Sequence, residues 1–368
     1  MKKLRMAVVG VGHLGRIHAR LIADMPDVQL VTVVDPDPIA RDHAHSLCDF
    51  AAREHFQDLV GLVDAAVIAT PTHGHCQAAQ FLLDHGIHVL VEKPLAATSA
   101  EALRILEAAQ RSQAILQVGH IERFNPAWVA ARPFLHDARY FQGHRSSTYT
   151  FRSTDVSVVL DLMIHDIDLV LSATASHVIQ TDAMGISRVG ENEDWVQARL
   201  HLANGCVADL FASRVSTVAQ RTMQAVSCDS HTLIDFASRT ATVVNAHGAA
   251  EIDATNVEQL SADQRNSLRD SFFELVMPRT DLDVPQCNAL ADELRDFVDC
   301  IRHRTAPQVT GHDGHHAVMI AEQIHEAVQQ HQWDRSTTGR IGPHFVPPAP
   351  ILRPPHWTDP AQPRRKAG

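Results

Sequence analysis

The sequence predicts an α/β protein in which an N-terminal, doubly wound parallel sheet precedes an α+β domain whose sheet is largely antiparallel. Short apolar runs alternate with helical patterns over the first 120 residues, which is typical of βα units. Strand patterns follow a helix from about residue 178 to residue 245, which is typical of an α+β domain. The 368 residues exceed what one core usually organises, so we expect domains at 1–120 and 121–335 and an extended, Pro-rich tail at 336–368.

The first domain contains five candidate strands and three clear helical patterns. Each strand is a short apolar run, and Thr98 or Ser99 is a suitable N-cap for the third helix. The predicted strands are Leu4–Val9, Gln29–Val34, Ala65–Ala69, His88–Val91 and Ile115–Val118, and the predicted helices are His13–Met25, His75–His85 and Ser99–Arg111.

The second part of the chain begins with helical patterns over Asn125–Leu135 and, strongly apolar, over Val156–Ser172. Alternating strands follow from Val178 to Asn245, and Asn204-Gly205 predicts a hairpin with a type I′ turn, which needs positive φ at both residues. Two amphipathic helices are predicted after these strands. Their apolar faces are Leu290, Leu294, Phe297, Val298 and Ile301, and then Ala317, Ile320, Ala321, Ile324 and Val328.

Composition excludes several classes of function. The formal net charge of −11 leaves no basic surplus for a nucleic-acid backbone or an anionic membrane surface. Six widely spaced cysteines form neither a disulfide framework nor a thiolate zinc motif. The apolar N-terminal run is interrupted by Gly10, Gly12 and His13, and no other stretch approaches the length of a membrane span. We therefore expect a cytoplasmic location.

A dinucleotide-binding motif follows the first predicted strand. Gly10-x-Gly12-x-x-Gly15 opens a helix through His13 and Leu14, and Asp35 ends the second strand 20 residues beyond Gly15. Glycines let backbone N–H groups approach a pyrophosphate, and the carboxylate at Asp35 accepts from ribose hydroxyls but repels a 2′-phosphate. These features favour a Rossmann-type domain that binds NAD rather than NADP. The alternative is a Gly-rich packing turn.

Two further segments lie at the carboxyl ends of strands, where such sheets bind ligands. The first is Ala69-Thr70-Pro71-Thr72-His73, and the second is Val91-Glu92-Lys93-Pro94. We expect Lys93 to polarise a substrate oxygen near the nicotinamide; the alternatives are an ordinary turn and a solvated lysine. The additional residues predicted to line the cofactor are Thr70, Pro71, His73, Glu92 and Lys93.

An ionisable pair interrupts the apolar helix of the second domain. Asp161 and His165 are four residues apart, so the carboxylate is expected to orient the imidazole and support its positive charge. The alternative is a surface ion pair or a buried histidine bonded to backbone. No metal site is predicted, because the histidine groups at 43–45, 73–75 and 312–316 lack an accompanying carboxylate or thiolate pattern.

Taken together, these motifs resemble the Gfo/Idh/MocA family of oxidoreductases over about residues 4 to 335. In that family, the lysine of a Glu-Lys-Pro motif and an Asp-x-x-x-His pair meet the nicotinamide and a sugar hydroxyl. The matching positions are Lys93, Asp161 and His165. The resemblance implies that His165 removes the hydroxyl proton, Lys93 stabilises the alkoxide and Asp161 orients His165. It leaves open whether Lys93 or His165 is the principal base.

The segment Gly119-His120-Ile-Glu-Arg123-Phe-Asn125-Pro126 looks most like the branch that oxidises UDP-N-acetylglucosamine at C3, on the way to 3-amino sugars of lipid A. That substrate needs cationic or amide donors for its sugar and diphosphate, and the candidates are Arg123, Asn125, Arg145 and Arg152. Each is otherwise a surface residue. The rival functions are an inositol or free-sugar dehydrogenase and a non-catalytic dinucleotide-sensing regulator. By analogy, an exposed sheet face implies a homo-oligomer, dimer or tetramer.

Overall fold

A five-stranded parallel sheet lies in the N-terminal third of the protein, in a computed structural model that describes residues 2–45, 52–151, 155–245, 260–334 and 340–344. The strand order is β2-β1-β3-β4-β5. The middle strand, Ala65–Ile68, is apolar and buried along its whole length because both faces of the sheet are covered. The elements are β1 (Leu4–Val9), α1 (His13–Asp24), β2 (Val28–Val34), α2 (Pro38–His45), β3 (Ala65–Ile68), α3 (His75–Asp84), β4 (His88–Glu92), α4 (Ser99–Ser112) and β5 (Leu116–Gly119).

An eight-stranded sheet follows, in the order β13-β12-β11-β10-β6-β9-β8-β7. Neighbouring strands are antiparallel except β6 and β9, which are parallel, so the predicted fold class is confirmed for both sheets. The elements are α5 (Pro126–Ala131), β6 (Tyr140–Ser146), α6 (Ile164–Thr174), β7 (Val178–Ile186), β8 (Trp195–Leu202), β9 (Val207–Ser213), β10 (Gln220–Val226), β11 (Ser230–Asp235), β12 (Thr240–Asn245), α7 (Ala262–Asp270), β13 (Arg279–Asp281), α8 (Ala289–His303) and α9 (Gly311–Gln330).

Several elements, most of them in the second domain, differ from the sequence prediction. Strand β6 lies near the middle of the sheet, yet its Gln, Gly, His and Arg residues hide the strand pattern. The predicted apolar helix is also divided, because Val159–Met163 forms a π-helical turn before α6 begins. Elements α2, α7 and β13 were not predicted either, since each is short or polar.

The β8–β9 hairpin is present, but its turn is not type I′. Of the two central residues of the predicted turn, only Gly205 has a positive φ, at 83°. The Gly205 N–H donates to the Leu202 carbonyl at 2.9 Å, and the Leu202 N–H donates to the Cys206 carbonyl at 2.8 Å. This is the three-residue loop in which a type I turn is followed by a left-handed glycine. Asn204 instead accepts from the Cys206 N–H through its side chain.

The last two helices return to the first sheet. Leu294, Phe297 and Val298 of α8 are buried in one cluster with Met6 and Val8 of β1. Helix α9 packs against α4, β5, α6 and β7 and so joins both sheets. The domain boundary at residue 120 therefore stays a prediction. The C-terminal helices α8 and α9 pack against the first sheet and complete its core.

The described part of the predicted tail, residues 340–344, is bonded to the rest of the protein. The Ser187 N–H donates to the Pro343 carbonyl at 3.1 Å, and the Trp333 indole N–H donates to the Gly342 carbonyl at 2.9 Å. The rest of the predicted tail lies outside the described residues. Within the described ranges, none of the helices has both the length and the apolar character that a membrane span requires.

Candidate active site

The glycine motif forms a tight turn against the N-terminus of α1. Gly10 has φ 87°, and a Cβ there would lie 2.7 Å from the Ala69 carbonyl oxygen, while a Cβ on Gly15 would lie 1.8 Å from the Gly10 carbonyl oxygen. Gly12 has open space around it and caps α1, whose first turn carries no acidic residue. The first-turn N–H groups therefore face outward without a side-chain acceptor, which suits a pyrophosphate.

Asp35 holds this turn against the end of β2. Its carboxylate accepts from the Val11 N–H at 2.9 Å and from the Asp37 N–H at 2.9 Å. The side chain stays partly exposed, so its remaining lone pairs can accept from ribose hydroxyls. His13 and Leu14 are exposed beside it at the start of α1. The predicted cofactor residues of the first turn are thus brought to one edge of the sheet.

His75 joins the two other predicted cofactor segments. One ring nitrogen lies 2.8 Å from the Pro94 carbonyl oxygen, and the other lies 2.9 Å from the Thr70 carbonyl oxygen. The loop carrying Thr70, exposed Pro71 and exposed His73 is therefore fixed beside the Lys93 turn. The sequence analysis did not predict that His75 links these loops, because it placed His75 only at the start of a helix and in a histidine group without metal-ligand spacing.

Glu92 does not line the cofactor edge as predicted. Its side chain is buried, and its carboxylate is 2.7 Å from the His18 ring nitrogen on α1. Burial alone would raise the pKa of Glu92, but the bond from His18, together with the charges of His18, Lys93 and His75, lowers that pKa. Glu92 therefore bonds α1 from a buried position, while the Lys93 side chain reaches Asp161 in the second domain.

Lys93 meets the second domain at Asp161. Its ammonium donates to the Asp161 backbone carbonyl at 2.5 Å and to the Asp161 carboxylate at 3.2 Å. Both side chains are about one-fifth exposed, at 17% and 20%. The structure therefore brings together two predicted catalytic residues that are 68 positions apart in the chain.

His165 lies nearby, but Asp161 does not orient it as expected. The imidazole Nδ1 is buried without a hydrogen-bond partner, and the Asp161 carboxylate bonds Lys93 instead. Asp161 is in the π-helical turn, where the i to i+5 pattern takes residues four apart out of alignment. Burial, followed by the charges of Lys93 and Arg145, holds the pKa of His165 well below its usual value. The imidazole is therefore neutral near pH 7 and able to accept a proton.

His120 is a site residue that the sequence reasoning missed. Its ring is fully buried, neither ring nitrogen has a partner, and its centroid is 6.5 Å from that of His165 in an edge-to-face arrangement. Burial lowers the pKa of His120, so this ring is neutral too. Its position directly after β5, at the same sheet edge as Lys93, was the signal that could have revealed it.

Three of the four predicted substrate-binding donors have partners inside the protein. The Arg145 guanidinium is buried and bonds Asp166 at 2.7 Å and Glu122 at 2.7 Å. Arg123 forms a two-bond pair with Asp168 at 2.6 and 2.8 Å.

Asn125 caps α5 through the Ala127 N–H and donates to Glu122 and to the Phe236 carbonyl. These contacts use both amide donors of Asn125 and pair every guanidinium nitrogen of the buried Arg145 with a carboxylate, and Arg123 is paired with Asp168. The structure therefore speaks against the expected role of these three side chains in holding a sugar diphosphate. Arg152 lies outside the described residues.

Arg221 is the exposed cation that the sequence reasoning overlooked. It lies opposite Arg145 in the β10–β6 pairing, so the two side chains share the sheet face beneath α6. Its positive charge is among those that lower the pKa of His165. Among the described residues, no carboxylate forms an ion pair with it. A cation beside the site is therefore available to an anionic substrate.

Taken together, the fold and site define a nicotinamide-dependent oxidoreductase. Residues 4–120 match the family described as an oxidoreductase family with an NAD-binding Rossmann fold, and residues 127–234 match the Gfo/Idh/MocA C-terminal domain. The chain belongs to the Gfo/Idh/MocA family, as the sequence motifs indicated. It is an NAD-dependent enzyme that acts on CH–OH groups, and the cradle at Gly10, Gly12 and Gly15 fits that cofactor.

Relatives in this family act on several substrates. UDP-N-acetylglucosamine 3-dehydrogenase from Acidithiobacillus ferrooxidans is 31% identical over 330 residues, covering 89% of this chain and 98% of that protein. A solved structure of that enzyme matches with a TM-score of 0.77 at 30% identity, covering the same shares. The scyllo-inositol 2-dehydrogenase (NAD(+)) of Bacillus subtilis is 25% identical over 84% of this chain and 90% of its own length.

A levoglucosan dehydrogenase in complex with NADH and levoglucosan has a TM-score of 0.74 at 17% identity, covering 89% of this chain and 97% of that one. At this identity the match shows the shared fold.

Proposed function

We propose that this enzyme oxidises the C3 hydroxyl of UDP-N-acetylglucosamine to a ketone, supplying a precursor of 3-amino sugars for lipid A. The observation that carries the reaction type is the meeting of Lys93 with the Asp161–His165 segment at the carboxyl edge of the first sheet. The choice of substrate is supported by the relative that matches over 98% of its length. We expect a cytoplasmic location and a homo-oligomer.

Lys93 and His165 divide the chemistry of hydroxyl oxidation. NAD, when bound, supplies the acceptor for the hydride. The Lys93 ammonium, held by Asp161, donates a hydrogen bond to the substrate oxygen and stabilises the alkoxide as it forms. His165 is kept neutral by burial and nearby cations, so it is in the form that can accept the hydroxyl proton. Asp161 thus positions Lys93 rather than His165.

Arg221 is the proposed donor for the diphosphate. It shares the sheet face of the buried Arg145 but is exposed, so it can pair with an anion without breaking an internal bond. Arg152 remains a proposed second donor on the evidence of sequence alone.

Two other functions stay as alternatives. An inositol or free-sugar dehydrogenase is supported by the Bacillus subtilis relative, and it would need no diphosphate donor. A dinucleotide-sensing regulator is disfavoured, because a sensor does not need the Lys93 and His165 pair.

The test measures NADH formation from NAD with UDP-N-acetylglucosamine, free N-acetylglucosamine and scyllo-inositol, with an aminotransferase added to remove the ketone. We expect turnover of the UDP-sugar, much poorer turnover of the free sugar, and about a hundredfold or greater loss of kcat in Lys93→Ala and His165→Ala. NADH binding, followed by fluorescence, should persist in both variants.

Arg221→Gln should raise KM for the UDP-sugar more than it lowers kcat, with Arg199→Gln as an exposed control on the same sheet. Turnover of inositol without response to the UDP-sugar would overturn the substrate and keep the family. Full activity in both the lysine and the histidine variants would overturn the mechanism.

A further inference from the structure

A closed polar cluster lies beneath the Lys93 turn. It consists of His18 on α1, Glu92 on β4 and Glu293 on α8, each buried, with one nitrogen or oxygen atom from each within 4.8 Å of the others. The Glu92 carboxylate accepts from His18 on one oxygen at 2.7 Å and from the Lys93 N–H on the other at 3.3 Å. It therefore ties the cofactor helix to the backbone of the Lys93 turn.

Glu293 differs from Glu92 in having no partner. Its side chain is 0% exposed, and neither carboxylate oxygen has a hydrogen bond. Its backbone carbonyl accepts from the Gln117 side-chain amide at 3.0 Å, so that amide does not serve the carboxylate. An ionised carboxylate in such a position would lose its hydration without compensation and would face a second carboxylate at close range.

We propose that Glu293 is a positioning residue that keeps its proton at neutral pH, so that Glu92 alone carries the charge that fixes the Lys93 turn. This inference rests on the role proposed for Lys93. A neutral Glu293 allows Glu92 to hold His18 and the Lys93 N–H, whereas an ionised Glu293 would repel Glu92 and loosen that link. Helix α8, from the C-terminal part of the chain, thereby stabilises the catalytic turn of the N-terminal sheet.

The charges around Glu293 agree with this protonation state. Burial, followed by Glu92 and Asp296, raises the pKa of Glu293 well above its usual value. The segment Ile121–Phe124 also packs on α8, but its two charged side chains are engaged elsewhere. Glu122 pairs with Arg145, and Arg123 pairs with Asp168.

A divalent cation is the competing way to neutralise this cluster, since one imidazole and two carboxylates are a possible ligand set. A protonated Glu293 and a metal-bound Glu293 predict different effects of Glu293→Gln on stability. A glutamine has the shape of the protonated acid and removes only the titration, whereas it would remove a ligand from a metal ion. The variant therefore distinguishes neutralisation of the cluster by a proton from neutralisation by a metal ion.

The first experiment compares urea unfolding of the wild type and Glu293→Gln between about pH 5 and pH 9. In the unfolded chain the Glu293 carboxyl has the ordinary glutamate pKa of about 4.3, whereas in the folded wild type its pKa is raised. Between these two pKa values the folded state binds one more proton than the unfolded state. The wild type therefore loses stability as pH rises, and the variant does not. We expect the unfolding constant of the wild type, divided by that of the variant, to rise about tenfold per pH unit within this window. Asp292→Asn, an exposed change on the same helix, should give a ratio independent of pH.

The second experiment is infrared spectroscopy of protein labelled with ¹³C-carboxyl glutamate at pH 7, in which the wild-type spectrum is decisive even if the variant does not fold. We expect a protonated glutamate carboxyl in the wild type and its loss in Glu293→Gln. A fully ionised glutamate spectrum would overturn the proposal, as would a pH-independent ratio of unfolding constants. A stoichiometric metal found by elemental analysis, with chelation lowering stability, would overturn it as well.

The third measurement is the pH profile of kcat. Ionisation of Glu293 should contribute a fall in kcat at alkaline pH, and that contribution should be absent in Glu293→Gln; an unchanged profile would overturn the positioning role. If no sugar is turned over, the proposed function fails, yet the unfolding and infrared measurements still decide the protonation of Glu293.

Discussion

Two buried arginines explain acidic residues that look misplaced in the sequence. Asp166 and Asp168 lie on the apolar helix α6, and each is paired with an arginine from another element. Burial alone would lower the pKa of Arg145, but Asp166 and Glu122 raise it, so the guanidinium stays charged. The same interactions remove Arg145 from the candidates for substrate binding.

Arg145→Met should destabilise the protein by about 3 to 5 kcal/mol, because it leaves two buried carboxylates without their cation. Arg199 forms a similar two-bond pair with Asp209 but is exposed, so Arg199→Met should cost much less stability than Arg145→Met. Urea unfolding at neutral pH measures both. Equal costs for the two variants would contradict the assignment of Arg145 to the buried network.

At the scale of elements, the turn between β1 and α1 combines a packing requirement with a binding requirement. Gly15 lets α1 approach the backbone of Gly10, whereas Gly12 borders open space at the helix N-terminus. The motif therefore contains glycines that are needed for different reasons, which the sequence pattern does not distinguish.

Gly15→Ala should lower stability by about 1 to 3 kcal/mol, because its methyl group would overlap the Gly10 carbonyl oxygen. Gly12→Ala should change stability by about 1 kcal/mol or less, but weaken NADH binding, since its methyl group occupies space in front of the helix N-terminus. Thermal denaturation and NADH fluorescence titration separate the two effects. Unchanged NADH affinity in Gly12→Ala would show that the cofactor does not approach this residue.

At the scale of the whole molecule, the two sheets share their supporting helices. Helix α9 packs on elements of both sheets, and α8 completes the core beside β1. The site lies where they meet, with Lys93 from the first sheet and Asp161 from the second domain. Unfolding one half would expose apolar surface of the other.

We therefore expect a single unfolding transition. All four tryptophans lie beyond residue 120, so their fluorescence reports the second half of the chain, whereas circular dichroism reports both. The two urea curves should coincide, and NADH should raise the midpoint seen by the tryptophans. A tryptophan transition that NADH does not move would show that the halves unfold independently.

The sequence by itself predicted the parallel sheet, the cofactor turn and the identities of Lys93, Asp161 and His165. These features rest on local patterns: apolar runs for doubly buried strands, glycine spacing for the turn, and polar residues at strand ends. The same local reasoning located most boundaries within a few residues, as for α1 and α4.

Only the tertiary structure decided which side chains are free and which are paired. Arg123 and Arg145 looked like substrate donors until Asp168 and Asp166 were brought against them. Asp161 looked like the partner of His165 until the π-helical turn placed it against Lys93. Glu293 was not singled out in the sequence, and only the packing of α8 shows that it is buried beside Glu92. The role of a charged side chain depends on the partners and solvent that folding gives it, and these contacts join positions far apart in the chain.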